Sequence, residues 1–153
     1  MNRTAVALVV CLCFSMVLAS VGGCGKKAPP EANASLNAAL EALPKGDTKT
    51  FIDHVVADQR DQVASKAQWS FFQAVKSHKI DNEFDLEVTD TSAAISTMLY
   101  FDDKQDVHSI LAFVMKKEGG AWLIDLDKTI KRQIDINGAA AFNKWRIEIK
   151  KQP

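Results

Sequence analysis

Few side chains in this sequence could do chemistry, and they are scattered. The histidines are His54, His78 and His108, the one tyrosine is Tyr100, and the cysteines Cys11, Cys13 and Cys24 all fall early in a chain of 153 residues. Everything after Cys24 therefore lacks a thiol nucleophile, a disulfide framework and a cysteine-based zinc site. Acid–base chemistry would need Tyr100 beside a carboxylate or imidazole, with Asp53, His54, Asp85 and His108 as the candidates. A buried tyrosine bonded to backbone is the commoner use of such a residue. His54 and Asp58 stand four apart and would share a helix face, as two metal ligands can, but no third ligand is spaced to join them. Asp102, Asp103 and Asp106 lack the glycine and the distal glutamate of a calcium loop, so they read as an exposed hairpin tip. These patterns imply no catalytic set, no metal and no cofactor.

Cys24 has a different context. Arg3 is the only charged residue before Lys26, and the intervening run, rich in Ala, Val and Leu, has the apolar character of a signal-peptide core. It closes on Val21-Gly22-Gly23-Cys24, which resembles the lipobox of bacterial lipoproteins: an aliphatic residue and two small residues before the cysteine. The resemblance implies cleavage between Gly23 and Cys24, with diacylglyceryl on the thiol and an acyl chain such as palmitate on the new amine. Several chains, at about 0.8 kcal/mol per buried methylene, would make a permanent anchor in the lipid bilayer. The competing reading is an uncleaved membrane-spanning helix, against which stand the Gly-Gly pair, the placed cysteine and Lys26-Lys27 just behind it. Gly25 rather than Asp follows the cysteine, which by resemblance to known sorting rules implies the periplasmic side of the outer membrane in a Gram-negative host.

Residues 1–23 are thus expected to be a signal peptide, 24–33 the lipidated cysteine and a flexible tether, and 34–153 a single domain. Acidic and basic residues balance at 19 each, so no global field draws in nucleic acid, and that class is set aside. The balance is uneven along the chain. Residues 81–106 are acidic and 128–153 basic, either as solvated, mutually attracting faces or as a basic tail that touches anionic envelope lipid.

Leu36, Ala39, Leu40 and Leu43 fall at helical spacing up to Pro44-Lys45-Gly46, and Asp47 is placed to cap a second helix with Phe51, Ile52, Val55 and Val56 on its apolar side. Val63, Ala67, Phe71, Ala74 and Val75 predict a third helix from about Asp58 to His78. From Asp81 the period becomes two: Phe84, Leu86 and Val88, then strands over 94–101 and 107–116, then Trp122, Ile124 and Leu126 after the Gly119-Gly120 turn. With a four-residue loop 102–105, Tyr100, Met98 and Ser96 would share the interior face with Ser109, Leu111 and Phe113. Both faces of that hairpin are apolar, so one packs on the helices and the other needs a cover. The cover would be a C-terminal helix bearing Ala139, Phe142, Trp145 and Ile149, a protein partner, or a second copy of the chain in a homodimer.

Helices first, a Gly46-Asp47 corner, and a meander ending in Gly-Gly-Ala-Trp-Leu-Ile-Asp resemble the nuclear-transport-factor-2-like superfamily, and within it small bacterial lipoproteins of unknown function. Trp122, Ile124 and Asp125 match that group's last hairpin, one register apart. The resemblance implies an α+β cone fold, with N-terminal helices on a curved antiparallel meander and a C-terminal helix. Such a fold hosts enzymes, carriers and adaptors alike. The expected function is a non-catalytic binding or interaction module at the bacterial cell envelope, with Tyr100 and Trp122 as candidate ligand contacts. The alternatives are an isomerase, dehydratase or hydrolase built on Tyr100 and a carrier of apolar ligands in the cone.

Overall fold

The computed structural model of the protein describes residues 26–63, 70–81 and 87–149. Helix α1 (Pro30–Ala42) begins at a proline, which at the first helical position forfeits no hydrogen bond and has φ already set. Ala32, Leu36, Ala39 and Leu40 form its buried stripe, so the helix starts a turn before the expected Ala34. It stops as anticipated, in a turn over Leu43–Lys45 closed by Gly46. Asp47 then caps α2 (Thr48–Asp53), accepting from the Thr50 hydroxyl at 2.6 Å and the Thr50 amide at 3.0 Å. Those two bonds hold the Asp47 carboxyl below its ordinary pKa.

The expected third helix does not continue to His78, and its stripe residue Ala67 lies outside the described residues. Its described parts are a turn at Ala57–Gln59, one helical turn α3 (Arg60–Val63), a 3-10 turn at Ser70–Ala74, and a strand from Ser77 onward. Val63, Phe71 and Val75 are buried as the periodicity requires, but they get there by different backbone. Phe71 and Phe72 explain the difference, because both neighbours are buried and face different partners. Phe72 meets Phe51 and Phe113 at centroid distances of 5.5 and 5.9 Å, while Phe71 meets Trp145 at 4.8 Å. From Lys76 the chain pairs with the sheet, its amide donating to the Tyr100 carbonyl at 2.8 Å. Tertiary pairing overrides helical propensity here.

The sheet is a curled antiparallel half-barrel in the order β1-β3-β4-β5, and the described residues are α+β with two helices after it. Both β1 (Ser77–Asp81) and β2 (Glu87–Val88) pair one side of β3 (Ser92–Tyr100); the expected strand residues Phe84 and Leu86 lie outside the described residues. On the other side of β3 runs β4 (His108–Glu118), followed through Gly119-Gly120 by β5 (Ala121–Ile124). Both turn glycines have positive φ, 57° and 86°, as a two-residue primed hairpin turn demands.

The β3–β4 register corrects the expected faces. Tyr100 pairs with His108, and the Phe101 amide donates to the Val107 carbonyl at 2.9 Å, so the loop is Asp102–Asp106, five residues long. Gln105 takes the left-handed position in it, with φ at 62°, and the Asp102 carboxylate accepts from the Val107 amide at 3.1 Å. One extra residue exchanges the faces of one strand against the other. The inner face carries Ala93, Ile95, Thr97 and Leu99 with Met115, Phe113, Leu111 and Ser109. Tyr100, Met98 and Ser96 lie on the outer face with His108, Ile110 and Ala112. Phe51, Phe71, Phe72 and Phe113 fill the space between the inner face and the helices.

Two C-terminal helices complete the body: α4 (Leu126–Asn137) and α5 (Ala139–Ile149), separated by Gly138 at φ 81° and ψ 147°, a conformation open to glycine alone. The expected helix α5 is present, with Phe142 and Ile149 buried. Its cover falls on the inner side, where Trp145 packs on Phe71 and Phe101, at 5.9 Å from the latter. Helix α4 runs along the edge of β4 beyond the end of β5. The Thr129 hydroxyl accepts from the Val114 amide at 2.9 Å, and the Gln133 amide nitrogen donates to the Ile110 carbonyl at 3.2 Å. The edge of β5 is covered as well, by His54–Val56, which exchange two backbone bonds with Ile124. Bare strand edges invite pairing with other chains, and this side of the sheet has side chains and loops in that place.

Candidate functional site

The residues singled out for catalysis do not converge. Asp53 is exposed and pairs with Lys49 at 2.6 Å, which lowers its pKa. His54 turns its Nδ1 to the Thr50 carbonyl at 2.9 Å. Helix α2 ends at Asp53, so His54 and Asp58 do not share a helix face, and no cluster of metal-ligating side chains occurs among the described residues. His78, expected at a helix end, sits in β1 with Nε2 2.9 Å from the Asn37 side-chain oxygen, and burial lowers its pKa. Gly23, Cys24 and Asp85 lie outside the described residues.

Tyr100 and Trp122 stand at opposite ends of the sheet. Tyr100 packs on its cross-strand neighbour His108, with ring centroids 6.0 Å apart on the outer face. Trp122 pairs with Lys117 at the other end of β4 and is buried on the inner side, its carbonyl accepting from the Ser35 hydroxyl at 2.6 Å. Nine strand positions separate His108 from Lys117, or about 30 Å. The two residues belong to different surfaces.

Asp125, which closes the Trp122–Asp125 motif, is structural. It caps α4 by accepting from the Lys128 amide at 3.0 Å, and it is buried. Gln59 completes the junction, donating to Asp125 at 3.0 Å and accepting from the Leu126 amide at 2.8 Å. The motif joins the sheet to its edge-covering helix.

An open groove of about 470 Å³ lies on the outer face beside α4. Ser96, Ile110 and Ala112 form its floor, Gln133 and Ile136 its wall, and His108 lies at its end. Ile110 and Ile136 are 55% and 61% exposed, unusual for large apolar side chains, and Met98 and Tyr100 extend the strip half-buried. The lining holds no carboxylate; its polar groups are hydroxyl, imidazole and amide. Such a surface can bind apolar side chains and orient polar ones. Bordering the groove, Arg132 reaches from α4 to Glu87 on β2 at 3.2 Å, and the register places Ala94 and Val114 in that same row of the sheet. This is one contact between the basic tail and the acidic segment.

The chain has no match among protein-family models, among curated proteins or among solved structures. The groove's wall, Gln133 and Ile136, was missed in the sequence, although Asp125 followed by Leu126, Ile130 and Ile134 is a readable cap and stripe.

Proposed function

We propose that the chain is a lipoprotein of the bacterial envelope, anchored through Cys24, whose domain is a non-catalytic protein-interaction module. The observation that carries this reading is the outer groove with Ile110 and Ile136 exposed on its floor and wall. Hydrophobic side chains held outward by a strand and a helix, ringed by amides and hydroxyls, form the usual composition of a contact surface. The order of helices, meander and Trp122–Asp125 hairpin is in keeping with a cone of the nuclear-transport-factor-2-like kind, which we propose as the fold family. No helix among the described residues is long and apolar enough to cross a membrane.

The enzyme alternative needs Tyr100 inside the cone beside an acid or base. Tyr100 on the outer face and aromatic packing on the inner one weigh against it. The test is photo-crosslinking in cells of the full chain, with a photoreactive residue at position 110 or 136 and a control at exposed position 144. Discrete products at 110 and 136 but not 144 are expected, and their mass separates a homodimer from another partner. Equal labelling at all three positions would remove the groove as the site.

A further inference from the structure

A second surface adjoins the point where the chain enters the body. Ala28 is only 4% exposed and belongs to the core, so the backbone is held by the domain from this residue on. Lys26 and Lys27, exposed just before it, line an open depression of about 650 Å³ together with Lys117. Trp122 forms part of the wall, with the Lys117 Nζ 5.8 Å from its ring centre. The carboxylates on the rim are Glu31 and Asp90. Four residues lead from Cys24 to Ala28, and extended chain covers at most about 3.5 Å per residue, giving a reach of about 14 Å. That reach is shorter than the domain, so an anchor at Cys24 selects the surface that meets the bilayer.

We infer that the face bearing Lys26, Lys27 and Lys117 docks the domain on the phospholipid headgroups of its own membrane, with the lysine ammonium groups on lipid phosphates. This rests on the proposed acylation of Cys24. Charge supports the orientation, since a basic cluster is drawn to the phosphate layer and each lysine near it adds to adsorption. Glu31 and Asp90 beside the lysines suit the ammonium of a zwitterionic headgroup. Trp122 is buried, so the contact is made at headgroup depth and not by insertion. The acidic Asp102–Asp106 tip lies at the far end of the β3–β4 hairpin and would point away from the lipid, as like charge requires. The Ile110 groove is then raised off the membrane and accessible to a protein partner.

The experiment uses the full chain, purified from membranes and reconstituted in vesicles of phosphatidylethanolamine and phosphatidylglycerol containing a small share of nickel-chelating lipid. A cleaved, acylated chain has no free thiol, so a cysteine introduced at Ala121 or at Lys104 takes a nitroxide label alone. Headgroup nickel should relax the label at 121 at least threefold more than the label at 104. The triple variant K26Q/K27Q/K117Q should bring the two near parity. Parity in the unsubstituted chain, with acylation confirmed by intact mass, would overturn the docking face alone. A mass without lipid would overturn the anchor, and the docking face with it.

Discussion

Thr97 offers a sharp test of the β3–β4 register. It is fully buried on the inner face, between Ile95 and Leu99 and opposite Leu111, and its hydroxyl has no hydrogen-bond partner among the described residues. A polar group buried in this way costs about 1–3 kcal/mol. Thr97→Val keeps the β-branch and the volume, so it opens no cavity and demands no new rotamer. It removes the unpaired hydroxyl and adds a methyl worth about 0.8 kcal/mol of burial. The expected gain is about 1–2 kcal/mol, since a hydroxyl retains some weak local interaction. For a domain of this size that is a rise in Tm of about 4–8 °C, read by circular dichroism. Thr97→Ser keeps the hydroxyl and loses the methyl, and should lower stability by about 1 kcal/mol. A Val variant no more stable than the parent would show that the hydroxyl is satisfied or the face is wrong, and would refute the reasoning.

Asp125→Ala should cost about 2 kcal/mol, as it removes the α4 cap and strands Gln59, whereas Asp125→Asn should cost less; urea midpoints at unchanged m would show both. His78 has its pKa lowered by burial, with Glu41 opposing, so the unfolded chain takes up the proton first as pH falls below about 6.5. Stability should therefore decline from pH 6.5 toward the lower folded value, and His78→Gln should flatten that part of the urea-midpoint profile. Gly138→Ala forces a side chain to φ 81° and should cost about 1–3 kcal/mol, visible as a lower Tm. Ile110→Lys, on an exposed position, should change stability by no more than about 0.5 kcal/mol while abolishing the crosslink formed from position 136.

Local signals proved sufficient where the cause was local. The Asp47 cap, the Gly46 stop, the two-glycine hairpin and the stripe of α1 each depend on residues a turn apart. The misread parts depend on distant partners. Phe71 and Phe72 look like one side of a helix until Phe51, Phe113 and Trp145 claim them separately. The face of Tyr100 turned on whether the 102–106 loop holds four residues or five, a choice set by Gln105 in a left-handed conformation that glutamine does not advertise. The groove was partly legible, since an apolar face needing a cover was read from β3 and β4, but its wall comes from α4, which starts at Leu126 where the alternation of Trp122, Ile124 and Leu126 implies a strand.

The covering of β4 by the tail bears on how the chain can be made. The Ser35 hydroxyl waits for Trp122, 87 residues later, Gln59 waits for Asp125, and Phe71 waits for Trp145. A chain emerging from its N-terminus can form α1 early, but the strand edge stays bare until Gln133 arrives and the aromatic core stays open until α5 does. Contacts of this sequence separation fold slowly, and partial chains carry the exposed edges and apolar surface that lead to aggregation. Such a body would assemble late and all at once. It suits a polypeptide that is kept unfolded until its last residues are delivered, and it makes any fragment ending before α5 a poor substitute for the whole.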